Sequence, residues 1–136
     1  MFAGQLEYAL RNPDNTASAF DESFFSMRVQ DFITAAVRLQ ECGFEKIRIA
    51  AEKSAVLPAL AAAAITGLPV TVDLENVDDR LWEEKLNYQP LIGKIGKLAG
   101  LLYLNLRPEC RFVHPGKFQS IVDNNNSKYP SFADAL

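Results

Sequence analysis

The stretch that decides the fold is residues 47–60, which read IRIAAEKSAVLPAL and lead into an alanine-rich run. A short β-type segment, residues 47–50, is followed within a few residues by a helix from Ser54 or Ala55 to about Thr66. Because this helix carries little beyond methyl groups, we expect it to lie close against a sheet. Gly67 is a suitable end for it. The stretch therefore predicts a strand, an abrupt turn with Lys53 at its tip, and a buried helix.

The segments on either side alternate between helix and strand. Two further β-type segments follow at residues 69–74 and 110–114, and the first is apolar enough to be covered on both faces. Helices are predicted over residues 1–10, 76–84, 91–98 and about 117–122. The strongest helix signal lies after residue 20, where Asp21 or Ser23 can serve as the N-cap and Gly43 ends the helix. One face of this helix carries Phe25, Val29, Phe32, Ile33, Ala36 and Val37. Residues 101–106 read as strand or as more helix. This order predicts an α/β fold, a three-layer sandwich with a short, mainly parallel sheet.

Length and charge bound the class of protein. The 136 residues fit one α/β domain, with residues 1–20 as an N-terminal extension and 123–136 as a C-terminal tail. Seventeen acidic against 14 basic residues give a net charge of −3 without a basic run, so neither nucleic acid nor an anionic membrane is an expected partner. The N-terminus does not resemble a secretory signal, and the longest apolar run, Val56 to Ile65, is too short to span a bilayer. We expect a cytoplasmic protein without a cofactor.

The two cysteines indicate neither a disulfide framework nor a zinc site. Cys42 follows an amphipathic helix and Cys110 begins an apolar strand, so both are expected to be core or near-core thiols.

Residues 21–118 resemble the α/β-hydrolase superfamily, in particular its acetyl xylan esterase and dienelactone hydrolase-like branch. The Arg-x-x-Asp motif of Arg28 to Asp31 precedes the strand-turn-helix, as in that branch. The pattern G-x-S-x-G-G, an apolar pair, Ala-Leu and then alanines aligns without a gap on residues 51–64. Residues 69–74 would be the next strand, and residues 110–114 the one after it. The resemblance implies a nucleophile elbow at the turn.

The residues of the elbow that carry out chemistry are replaced. Where the hydrolase motif reads G-x-S-x-G, residues 51–55 read AEKSA, which places Lys53 at the nucleophile's position. Both glycines are alanine, so we expect the backbone strain of the elbow to have relaxed. The resemblance also lacks the first four strands and the strand of the catalytic histidine. It therefore implies a partial, catalytically degenerate hydrolase, a pseudoenzyme rather than a Ser-His-Asp esterase.

Three residues are candidates for residual catalysis. Lys53 could act as an amine nucleophile if burial depressed its pKa, although a solvated lysine, or one paired with Glu52 or Asp73, is the simpler interpretation. Ser54 is one residue out of register and suits a helix cap better. His114, the single histidine, ends a strand at the ligand-bearing carboxyl edge of the sheet, where a structural role is the alternative.

A ligand site at the same edge would draw on Glu52, Lys53, Asp73 and His114. The acidic cluster of Asp73, Glu75, Asp78 and Asp79 could bind a divalent cation, but Asp78 and Asp79 fit a helix N-terminus better, and we predict no metal. The glycines at 93, 96 and 100 lack the strand-to-helix context of a phosphate loop.

The sequence leaves three functions open. The first is a structural or protein-interaction module, because residues 47–50 would lack a neighbouring strand and would pair with a second copy or with a partner subunit that completes the sheet. The second is a hydrolase-related subunit whose partner supplies the missing catalytic groups. The third is a small-molecule-binding α/β domain that uses the carboxyl edge near Lys53, Asp73 and His114.

Overall fold

The computed structural model of the protein describes residues 24–83, 92–122 and 129–136. The predicted helix over residues 1–10, the helix caps at Asp21 and Ser23 and the polar turn at residues 123–127 lie outside these ranges.

The centre of the fold is a parallel sheet of three short strands in the order β1-β2-β3. They are β1 (Ile49–Ala51), β2 (Val70–Asp73) and β3 (Arg111–Val113). Both outer strands pair with β2 in parallel, so that Ala51, Val72 and Phe112 lie side by side. The predicted α/β class and the parallel pairing are confirmed. The first strand ends one residue later than predicted.

Five α-helices surround this sheet in the described ranges. They are α1 (Phe24–Glu41), α2 (Val56–Thr66), α3 (Lys97–Leu104), α4 (Gln119–Val122) and α5 (Phe132–Ala135), with 3-10 turns at Lys53–Ala55, Asp79–Glu83, Ile92–Ile95 and Gly116–Phe118. In the part of the chain that the structure describes, no helix combines the length and apolar character needed to cross a membrane.

The prediction of one helix over residues 91–98 is wrong. Its first part is a 3-10 turn, and the backbone then passes through the left-handed region at Gly96 (φ 83°) and Lys97 (φ 53°) before α3 begins. Residues 101–106, predicted as strand or helix, largely belong to α3. Close packing requires glycine at position 100, because a Cβ atom there would lie 1.6 Å from the carbonyl oxygen of Ile95.

Helix α2 forms the middle of the core. It packs against α1, α3 and the sheet, and most of its side chains are buried. Its alanines allow these neighbours to approach closely, as the sequence predicts. The buried amide of Asn105 donates to the carbonyl oxygens of Leu60 (2.9 Å) and Leu101 (2.8 Å), which ties the end of α3 to α2.

Helix α1 covers α2 with only part of its predicted apolar face. Phe25 and Val29 are buried, and the ring of Phe25 contacts that of Trp82 at 5.1 Å. Val37, however, is 45% exposed, because the last turns of α1 extend past the core. Cys42 is exposed for the same reason, so the prediction of a near-core thiol is wrong for Cys42, whereas Cys110 is buried as predicted.

The opposite face of the sheet is more polar and carries the C-terminal residues. Ala50, Thr71 and Arg111 are cross-strand neighbours on this face. Arg111 donates to the carbonyl oxygen of Ala135 in α5 (2.6 Å) and lies over the ring of Tyr129. Helix α5 contacts β2 and β3, whereas Ala50 on β1 remains exposed.

Candidate functional site

The carboxyl ends of the three strands lie at one edge of the sheet, and each is followed by a residue in an unusual backbone conformation. Lys53 (φ 54°), Asn76 (φ 56°) and His114 (φ 48°) follow β1, β2 and β3 respectively. Residues other than glycine rarely adopt a positive φ, and such residues cluster at functional sites. Ligands of open α/β sheets bind at this same edge. We therefore take this edge as the candidate site.

The bend after β1 is as abrupt as the sequence predicts. Glu52 is still extended (φ −134°, ψ 164°), and Lys53 then turns the chain directly into the 3-10 turn that leads to α2. The predicted relaxation of the backbone is wrong, because Lys53 occupies the left-handed region although it has a Cβ atom. That conformation costs roughly 1–2 kcal/mol.

The side chain of Lys53 points into solvent. It is exposed, so the burial that the amine-nucleophile hypothesis requires is not found. Among the described residues its ammonium group forms no ion pair with either Glu52 or Asp73. Lys53 is thus a solvated cation at the tip of a strained turn.

Ser54 does not cap the helix. The N-cap of α2 is Ala55 and that of the preceding 3-10 turn is Glu52, and neither forms a side-chain capping hydrogen bond. The helix cap predicted for Ser54 is therefore wrong, because the intervening 3-10 turn delays the start of the α-helix. The backbone carbonyl of Ser54 instead accepts a hydrogen bond from Arg28 (3.1 Å), which joins the turn to α1.

Asp73 and His114 form the one direct contact between predicted site residues in the described ranges. Nδ1 of His114 lies 3.0 Å from Oδ1 of Asp73, and the same oxygen accepts the backbone N–H of Glu75 (2.9 Å). The hydrogen bond to Asp73 raises the pKa of His114 above its usual value. Partial desolvation acts in the opposite direction and lowers this pKa. The negative charges of Asp73 and Glu75 and a hydrogen bond to the carbonyl of Pro130 raise it further.

Two adjoining depressions open at this edge. The larger, the β2–β3 cleft, has a volume of about 600 Å³ and is lined by His114 and Lys117 among others. The smaller, the β1–β2 cleft, of about 270 Å³, contains four of the predicted residues, namely Glu52, Lys53, Ser54 and Asp73. Glu75 and Asn76 border both. The structure therefore brings all the predicted site residues to one edge, but divides them between two clefts.

Asn76 and Lys117 are site residues that the sequence analysis missed. Asn76 offered one signal, since asparagine is among the residues that tolerate a positive φ. Lys117 directly follows Pro115 and Gly116, which mark a turn in the sequence, but no local pattern shows that this turn brings Lys117 to the cleft.

The acidic cluster divides into two parts. Asp78 accepts the backbone N–H of Arg80 (2.8 Å) at the start of a 3-10 turn, and its hydrogen bonds from Arg80 lower its pKa. Asp79 accepts the backbone N–H of Leu98 (3.1 Å) and so caps α3. Asp78 and Asp79 thus lie at the start of a 3-10 turn and not of the helix predicted over residues 76–84, and the cap that Asp79 supplies to α3 was not predicted.

Asp73, Glu75 and His114 have potential metal-ligand atoms within 4.8 Å of one another. Exposed acidic groups are commonly found together without an ion, and we assign this group no metal.

Comparison of the chain with protein-family models, with curated proteins and with solved structures finds no match. The resemblance to α/β-hydrolases therefore remains a prediction.

The strain at Lys53 can be measured by substitution. Glycine adopts a positive φ without steric cost, so we expect Lys53→Gly to raise the free energy of unfolding by roughly 1 kcal/mol in urea titrations. The matched control is Lys46→Gly, another exposed lysine outside the helices and strands with no positive φ. There the greater entropy of the unfolded chain should lower stability slightly. Equal losses in both variants would contradict a strained turn.

The Asp73–His114 pair should make stability depend on pH in one direction. Because the pKa of His114 is raised in the folded protein, its contribution is complete below the unfolded value of about 6.5 and is lost as pH rises through the higher folded value. NMR titration of the single histidine gives the folded pKa directly. Asp73→Asn keeps an oxygen that can accept from Glu75 but removes the charge, so the pKa of His114 should fall. An unchanged pKa would contradict the pairing.

Proposed function

We propose that the protein is a catalytically degenerate α/β-hydrolase-like module that acts through protein association at the unpaired edge of β1. The partner is a second copy of the chain or a subunit that extends the sheet. The single observation that carries this proposal is the position of β1, which lies at the end of the strand order and pairs with β2 alone among the described residues.

The backbone of β1 presents hydrogen-bonding groups on its outer side. The N–H of Ile49 donates to the carbonyl oxygen of Pro69, so Ile49 and Ala51 face β2. Successive residues of a strand direct their backbone groups to opposite sides, which leaves the N–H and C=O of Ala50 facing outward. Ala50 is also exposed, so its outward backbone groups are open to an incoming strand. Such an edge is a template for pairing.

The turn after β1 supports the loss of serine-hydrolase chemistry. An exposed ammonium group occupies the tip of the turn, where the hydrolase pattern has a hydroxyl. Ser54, the neighbouring residue, lies within the 3-10 turn. A scaffold role keeps the shape of the turn, which positions α2, without the nucleophile.

Association should depend on the outer backbone groups of Ala50. Ala50→Pro removes the outward N–H while the hydrogen bonds to β2 remain, since proline is tolerated on the solvent side of an edge strand. We expect light scattering after size-exclusion chromatography to show an oligomer for the natural chain and a monomer for Ala50→Pro. The matched control Ala50→Val keeps the N–H and favours a strand, so it should stay associated.

A strictly monomeric, stably folded natural chain would refute association at this edge. Circular dichroism and a thermal melt of Ala50→Pro separate loss of pairing from loss of the fold.

A second candidate function is favoured by the Asp73–His114 contact. An imidazole whose Nδ1 is held by a carboxylate is oriented to accept a proton at Nε2, and His114 lines the β2–β3 cleft. This arrangement supports a small-molecule site, or a hydrolytic subunit completed by a partner. In ester hydrolysis a water molecule would attack the acyl carbon and pass a proton to Nε2; the alcohol would then leave and take up that proton.

Turnover of an aryl acetate tests this second candidate. The assay uses a Cys42→Ser background, because Cys42 is an exposed thiol that could itself attack the ester. We expect His114→Gln to lower the rate about 100-fold, the low end of the range for general-base catalysis. The rate should rise as pH passes the pKa of His114, and Asp73→Asn should move that midpoint to lower pH. Loss of turnover in Ser54→Ala alone would assign the chemistry to serine instead.

A further inference from the structure

We infer that the partner at the β1 edge is a second copy of this chain, paired antiparallel about a twofold axis that passes beside Ala50. This inference rests on the proposed association and specifies its register. The two strands would join the sheets of both copies into one continuous sheet.

The outward-facing backbone groups set the possible registers. Ala50 directs both its N–H and its C=O away from β2. By the same alternation Arg48 and the N–H of Glu52 face outward, whereas the carbonyl oxygen of Glu52 accepts the N–H of Ala55 within the turn (3.2 Å). The extended backbone of Glu52 (φ −134°, ψ 164°) continues the strand conformation beyond Ala51. If Ala50 lies opposite its own copy, then Arg48 of each chain lies opposite Glu52 of the other.

The charges make this register self-complementary. Opposite charges on directly facing residues stabilise a strand pair, and a twofold axis provides the Arg48–Glu52 pair twice. Arg48, Ala50 and Glu52 project from the same face of the sheet, because side chains alternate along a strand. A slip of one residue would place outward-facing groups opposite inward-facing ones, and the match would be lost.

The surroundings of Arg48 favour an added carboxylate. Its guanidinium donates to Thr71 Oγ1 in β2 (3.2 Å) and to the carbonyl oxygen of Glu109 just before β3 (2.7 Å), so it lies over the polar face of the sheet and has to turn outward to meet Glu52 of the second copy. Partial burial and the positive charge of Arg111 lower the pKa of Arg48, and an acidic residue from outside would offset that repulsion. Glu52 is exposed at the far end of the strand.

Cysteine cross-linking in the full chain tests the register. In a Cys42→Ser background, Ala50→Cys should form a disulfide-linked dimer under mild oxidation, because facing Cα atoms in such a pair lie about 5.5 Å apart. Arg48→Cys and Glu52→Cys should each cross-link poorly alone but efficiently when the two proteins are mixed. Cross-linking of Arg48→Cys with itself, and none in the mixture, would overturn the register.

Charge reversal gives an independent measurement. Arg48→Glu and Glu52→Arg each place like charges opposite one another at two positions, so each should weaken dimerisation about tenfold in analytical ultracentrifugation. In an equimolar mixture the two variants should form a heterodimer with opposite charges restored. Because Arg48→Glu also loses its contacts to Thr71 and Glu109, a thermal melt must accompany it. Glu52→Arg is the cleaner variant, because the exposed side chain of Glu52 is not needed for the pairing of β1 with β2.

The outcomes separate this inference from the proposed function. If Ala50→Pro abolishes the oligomer but charge reversal and cross-linking have no effect, association at β1 stands and this register is wrong. If the natural chain is a monomer, both fail.

Discussion

The structure depends on parallel pairing through a central strand that is buried on both sides. β2 pairs with β1 on one side and with β3 on the other, and its residues Val70, Thr71 and Val72 are fully buried. Parallel strands cannot be joined by tight hairpins, so each connection must cross over the sheet. Helix α2 makes the first crossover, and its alanines let it pack between α1 and the strands. The same parallel direction brings all three carboxyl ends, and the turns that follow them, to one edge.

The turns after the three strands contain residues with a positive φ, because the chain must change direction there within a few residues. These residues are Lys53, Asn76 and His114. The packing of α2 and the hydrogen bond from Arg28 to the Ser54 carbonyl hold the first turn in place. A conformation that costs roughly 1–2 kcal/mol persists only where its surroundings fix it. The bend at Lys53 is therefore a property of the scaffold, and it does not require a catalytic group at the tip.

The sequence predicts those features that depend on local pattern. Apolar β-type segments and the small-residue helix after Lys53 identify the strand-turn-helix and the parallel α/β class, and the ends of the strands place Asp73 and His114 at one edge. Contacts between distant parts of the chain are not encoded in any local pattern. The cap that Asp79 supplies to α3 joins residues 19 apart, and the Asp73–His114 contact joins residues 41 apart. The start of α3 was misplaced because apolar spacing continues through Gly96, where the backbone interrupts the helix.

The two sides of β1 explain why association and residual chemistry are separable. The side that faces β2 is fixed by the sheet, so the turn and the β1–β2 cleft keep their geometry whether or not a partner binds. The outer side carries the backbone groups of Ala50, which are satisfied by water or by another strand. Asp73 is the last residue of the central strand β2 and His114 follows β3, so their contact is separated from the outer edge of β1 by the width of the β1–β2 pair. A substitution at Ala50 therefore acts on pairing, and one at His114 acts on the cleft. Because the two sites share only the rigid strands between them, variants at the two should have additive effects on stability.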